Sequence, residues 1–108
     1  MAPSARRLGV IGAGNIGGAV AANLLADGHG VAVHDTDPAR TAALVRAGAV
    51  RADTPAAVAE RSEITFTSLP SPTVMEAVAD AWLSGAARDA VLVDLSTNSP
   101  ATSSRTRC

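Results

Sequence analysis

The chain has 108 residues, 47% of them hydrophobic and 18% charged, with a formal net charge of −1. That length makes one domain able to bury roughly two-thirds of its unfolded surface. Nine basic against ten acidic residues leave no excess charge for a nucleic-acid or anionic-membrane partner.

One cysteine, Cys108, excludes an internal disulfide framework, so the expected setting is the reducing cytoplasm. Tyrosine and lysine are both absent, which leaves Phe66 and Trp82 as the aromatics and a core of Ala, Val, Leu and Ile. Every basic side chain apart from His29 and His34 is arginine, which stays protonated. Schiff-base chemistry and lysine acid–base catalysis are therefore excluded within this chain. The uncharged stretch from Leu8 to Ala26 contains five glycines and two asparagines, too polar and flexible for a membrane span or an export signal.

Elements alternate along the chain. Residues 1–7 read as a flexible tail. Leu8–Ile11 is a short apolar strand of the kind covered on both faces, and Ile16 to Asp27 carries helical spacing that Gly28 ends. Val31–Asp35 is a second strand. Asp37-Pro38 opens a second helix, the aspartate as cap and the proline in the first turn, and Gly48 ends it. Val50-Arg51 reads as a brief strand. Thr54-Pro55 starts a short helix to about Arg61, and Ser71-Pro72 another to about Trp82. Between them Ile64–Leu69 is strand-like, and Ala90–Asp94 is the last strand. This rhythm predicts an α/β doubly wound parallel sheet of about five strands over residues 8–100, with 101–108 frayed.

Gly12-Ala13-Gly14-Asn15-Ile16-Gly17 is a G-x-G-x-x-G sequence placed after a strand and opening a helix. Gly12 allows the tight turn, Gly14 the approach of a pyrophosphate, and Gly17 close packing of helix on sheet. Free amides at the helix start would hold the phosphates. Asp35 ends the second strand where a Rossmann unit places a carboxylate on the adenosine ribose, with Asp37 as the alternative acid. A 2′-phosphate would be repelled there, and the neighbouring Thr36 offers no positive charge, so NAD is preferred over NADP. His34 reads as a strand or surface residue rather than a catalyst.

These residues, with Ala22-Asn23-Leu24-Leu25, Gly28-His29, Ser68-Leu69-Pro70 and Asp94-Leu95-Ser96-Thr97-Asn98-Ser99-Pro100, resemble the β-hydroxyacid dehydrogenases, a group that includes 3-hydroxyisobutyrate and 6-phosphogluconate dehydrogenase-like enzymes. The resemblance implies that Leu69, Pro70 and Val74 line the cofactor cleft, that Thr97 sits by the nicotinamide, and that Ser96 orients a substrate carboxylate. Asp94 is expected to satisfy local backbone. Ala13, Ile16 and Val20 depart from the family's usual leucine and methionines. The family continues into a sixth strand and a helical second domain that supplies a catalytic lysine, whereas this chain ends in polar residues and resembles a truncated one.

The resemblance therefore implies the NAD-binding domain of an oxidoreductase acting on a small 3-hydroxy acid, inactive alone, with no catalytic or metal-ligating residue of its own. The alternatives are a free-standing dinucleotide-binding or interaction module, and a fragment of an imine-reductase-like or pyrroline-carboxylate-type reductase. Oligomeric state is not legible.

Overall fold

A computed structural model of the chain describes residues 6–95. Five strands, β1 (Arg7–Ile11), β2 (Gly30–His34), β3 (Val50–Arg51), β4 (Ile64–Thr67) and β5 (Val91–Asp94), form one sheet. Between them lie α1 (Asn15–Ala26), α2 (Pro38–Arg46), α3 (Pro55–Arg61) and α4 (Pro72–Leu83). All pairings are parallel and the strand order is β3-β2-β1-β4-β5. This is the Rossmann-type doubly wound sheet expected from the alternation of elements.

The chain moves outward from β1 to β3, then returns to lay β4 against the other side of β1, pairing Leu8 with Ile64 and Ile11 with Thr67. The carboxyl ends of β1 and β4 thus mark the point where the winding direction reverses. Open α/β sheets bind their ligands in the crevice at such a point.

Strand side chains alternate between two cores. Val10, Val31 and Val33 join Ala21 of α1 and Leu44 of α2 on one face. Ile11, Ala32 and Leu92 join Val58 of α3 and Met75 and Trp82 of α4 on the other. Successive strand residues point to opposite faces, so an uninterrupted apolar run feeds both layers.

Helix boundaries follow local chemistry. Asp37, Thr54 and Ser71 each accept a hydrogen bond from an amide in the first turn, and a proline follows each cap. Gly28 and Gly48, with φ of 90° and 117°, turn the chain after α1 and α2 in a conformation that side chains rarely adopt.

One buried polar contact ties the second layer to the sheet, and another links two strands within it. Trp82 Nε1 donates to Thr65 Oγ1 at 3.0 Å, both residues being fully enclosed. The Thr67 hydroxyl lies 3.3 Å from Asp94 Oδ1 and 3.2 Å from Met75 Sδ. Its single hydrogen favours the carboxylate, the stronger acceptor. Asp94 therefore binds a side chain across the β4–β5 pair.

No helix among the described residues is long and apolar enough to cross a membrane.

Candidate functional site

The loop after β1 meets the loop after β4 and the end of β2. Gly12 has φ of 91°, and its amide donates to the carbonyl of His34 at 2.9 Å. A Cβ on Gly12 would overlap the carbonyl oxygen of Ser68 and come within 3.2 Å of Leu69 Cδ2. Gly17 is equally confined, because a Cβ there would strike the carbonyl oxygen of Gly12. These two glycines let β1, α1 and the β4 loop converge.

Gly14 differs. Its φ is −76° and its ψ −154°, an extended conformation open to any residue, and the nearest atom to a Cβ would be Arg40 Nη1 at 3.4 Å. The fold does not require glycine there. The added carbon would project into the space beside the loop, which is the space a ligand approaching the backbone needs.

Gly14 caps α1 without a side-chain hydrogen bond, whereas the other three helices are each closed by a capping side chain. The start of α1 therefore keeps its open amides and the positive end of its dipole for an incoming anion. In the loop before the helix, the Ala13 amide, like that of Gly12, is already taken. It donates to Asp35 Oδ2 at 2.7 Å.

Asp35 is almost enclosed, its side chain 7% exposed, and its Oδ1 accepts the Asp37 amide at 2.8 Å. Asp37 caps α2 through Ala39 N at 3.0 Å, and its side chain is 54% exposed. Of the two acids, Asp35 faces the glycine loop and Asp37 closes a helix.

Arg40 is the charged residue that sequence reasoning missed. Its Nη1 lies 3.9 Å from Asp35 Oδ2, and its Nε 3.8 Å from Asp37 Oδ2. Thr36 offers no positive charge to offset repulsion of a 2′-phosphate, but Arg40, one turn into α2, provides one beside Asp35. The signal was present in the three-residue spacing from Asp37, which places both side chains on one helix face.

The other expected site residues take varied positions. Asn15, Ile16 and Thr36 are exposed around the loop and the end of β2. Leu69 is half-buried and packs toward the α3–α4 core, while Pro70 and Val74 are exposed at the start of α4. His34 is occupied structurally, its Nδ1 within 3.0 Å of the Ala52 carbonyl. Ser96 and Thr97 lie outside the described residues.

Residues 7–107 match the family described as the NAD binding domain of 6-phosphogluconate dehydrogenase. The chain belongs to that family.

Known relatives of this NAD-binding domain agree. The 3-hydroxyisobutyrate dehydrogenase of Pseudomonas aeruginosa is 38% identical over 95 residues, covering 85% of this chain and 32% of that protein. The 2-(hydroxymethyl)glutarate dehydrogenase of Eubacterium barkeri is 38% identical over 97 residues, covering 87% and 32%. Among solved structures, the imine reductase of Myxococcus stipitatus in complex with NADP+ has a TM-score of 0.80 and 30% identity, covering 88% of this chain and 33% of that one. A variant of that enzyme in complex with NAD+ has a TM-score of 0.82 and 31% identity, covering 90% and 34%. The chain spans about a third of the length of each of these relatives.

The glycine loop fits a dinucleotide by its own geometry. A cleared space at Gly14, an uncapped helix start and a nearly enclosed acid meet where the sheet reverses direction.

Proposed function

We propose that this domain binds NAD in preference to NADP and belongs to an oxidoreductase acting on a small 3-hydroxy acid. Asp35 carries the reading: its carboxylate stands at the end of β2 beside the glycine loop, where it accepts hydrogen bonds from an adenosine ribose and repels a 2′-phosphate. The uncapped start of α1 holds the diphosphate. Leu69 and Pro70 line the cofactor cleft near the adenosine-proximal ribose or the nicotinamide, with Val74 a weaker contact, Thr97 is assigned to the nicotinamide, and Ser96 to orienting the substrate carboxylate.

A bound nicotinamide dinucleotide supplies the hydride chemistry. This chain supplies binding and orientation. It contains no lysine to move the alcohol proton, which supports reading it as inactive alone. The proposed setting is the cytoplasm.

A second reading, an imine-reductase-like domain that takes NADP, is favoured by Arg40. Its guanidinium sits 3.9 Å from Asp35 and can pair with a phosphate on the ribose.

Calorimetric titration of the folded chain with each dinucleotide separates the readings. Saturable binding with NAD tighter than NADP is expected. Tighter NADP binding selects the second reading, and no heat from either at millimolar concentration overturns both.

A further inference from the structure

The last residue of β2 and the one after it grip two successive amides of the glycine loop. The His34 carbonyl takes the Gly12 amide at 2.9 Å, and the Asp35 carboxylate takes the Ala13 amide at 2.7 Å. The second carboxylate oxygen takes the Asp37 amide at 2.8 Å, which fixes the side chain's own direction. Asp35 is thus anchored on one side to the turn entering α2 and on the other to the loop entering α1.

A carboxylate 7% exposed has lost most of its water, and charge-assisted hydrogen bonds to two backbone amides replace it. Arg40, at 3.9 Å, adds a compensating charge.

We propose that Asp35 is a positioning residue for the glycine loop, holding the Ala13 amide so that the loop has its binding shape before any ligand arrives. The proposal rests on the dinucleotide reading above and adds to the ribose contact a role that the ribose does not share. In the empty protein the carboxylate stands where a polar ligand group near Ala13 would otherwise be needed to satisfy that amide. Its removal frees the loop as well as the sugar.

The two roles separate when the ribose contact is deleted from the ligand. Dissociation constants for NAD and for an NAD analogue with a 2′,3′-dideoxyadenosine ribose are measured with the wild-type chain and with Asp35→Ala. A residue acting through the sugar alone leaves the affinity for the analogue unchanged or, through the lost charge, tighter. A residue that positions the loop weakens the analogue too, by about tenfold if one charge-assisted hydrogen bond sets the loop. The sign is informative, because deleting a negative charge near a diphosphate would by itself tighten binding.

Amide hydrogen exchange in the ligand-free chain provides the second readout. The Ala13 amide is expected to exchange at least about tenfold faster in Asp35→Ala, while Val33 in the interior of β2 keeps its protection. If Asp35→Ala does not fold, Asp35→Asn, which keeps the volume and one acceptor, is expected to give both effects at smaller size. Equal or tighter affinity of the variant for the analogue, or unchanged exchange at Ala13, overturns the proposal. Should the wild-type chain bind neither dinucleotide, the functional reading fails, and exchange at Ala13 still decides whether Asp35 holds the loop.

Discussion

The α-carbon of Gly17 lies against the carbonyl oxygen of Gly12, so close that a single added carbon would overlap it. The first turn of α1 is thereby pressed onto the loop that precedes it. Gly17→Ala is expected to destabilise the chain by roughly 1–3 kcal/mol, the usual range for forced overpacking. Gly14→Val meets no backbone at its Cβ, and as a poorer helix cap it is expected to cost about 1 kcal/mol while leaving the chain folded. Its side chain nevertheless fills the space beside the loop, and NAD affinity is expected to fall more than about tenfold, as calorimetry would register. Unaltered affinity in a folded Gly14→Val chain would refute the cradle.

Cofactor choice is expected to follow the two charges at the end of β2. Asp35→Asn removes both the ribose acceptor's charge and the repulsion of a 2′-phosphate, so NAD should weaken more than NADP. Arg40→Ala is expected to act in the opposite direction, weakening NADP by up to about tenfold and NAD much less. Because the Arg40 side chain is 57% exposed, its loss should barely affect thermal stability. Equal losses for both dinucleotides in either variant would remove these residues from the discrimination.

The Trp82–Thr65 contact is testable through its asymmetry. Thr65→Val keeps the shape of the side chain but leaves the buried indole N–H without its acceptor, at a cost of roughly 1–3 kcal/mol. Trp82→Ala should cost about 3–5 kcal/mol, since it also opens a large cavity. Urea denaturation midpoints would rank them, and a neutral Thr65→Val would show that the indole finds another partner.

Gly9 marks a different constraint. A Cβ there would lie 2.5 Å from both Ser62 Oγ and Val58 Cγ1, at the point where α3 crosses β1. Gly9→Ala is expected to destabilise by roughly 1–3 kcal/mol while leaving dinucleotide affinity unchanged in the folded fraction. A stable Gly9→Ala chain would mean that both Ser62 and Val58 can turn aside.

Much of this architecture was readable residue by residue. Asp37-Pro38, Thr54-Pro55 and Ser71-Pro72 announce helices because cap and first-turn chemistry are local, and all three helices begin at those prolines. Strand ends shifted slightly: β1 starts at Arg7 rather than Leu8, and β4 ends at Thr67 rather than Leu69. Pairing partners, which the local sequence does not contain, set such limits. The same reason hid the Ala13–Asp35 bond, which joins residues 22 apart, and the role of Gly9, which depends on where α3 lands. Arg40 is not adjacent to Asp35 in sequence and meets it only once α2 is wound. The cation arrives one helical turn later.

Placing the single tryptophan wholly inside the α3–α4 layer also settles what light can report about this molecule. With no tyrosine in the chain, its near-ultraviolet emission is in effect the emission of Trp82. A red shift on unfolding would time the departure of α4 from β4, whereas rearrangements confined to the opposite layer would pass spectroscopically unseen. An indole introduced on α1 or α2 would give that layer a signal of its own.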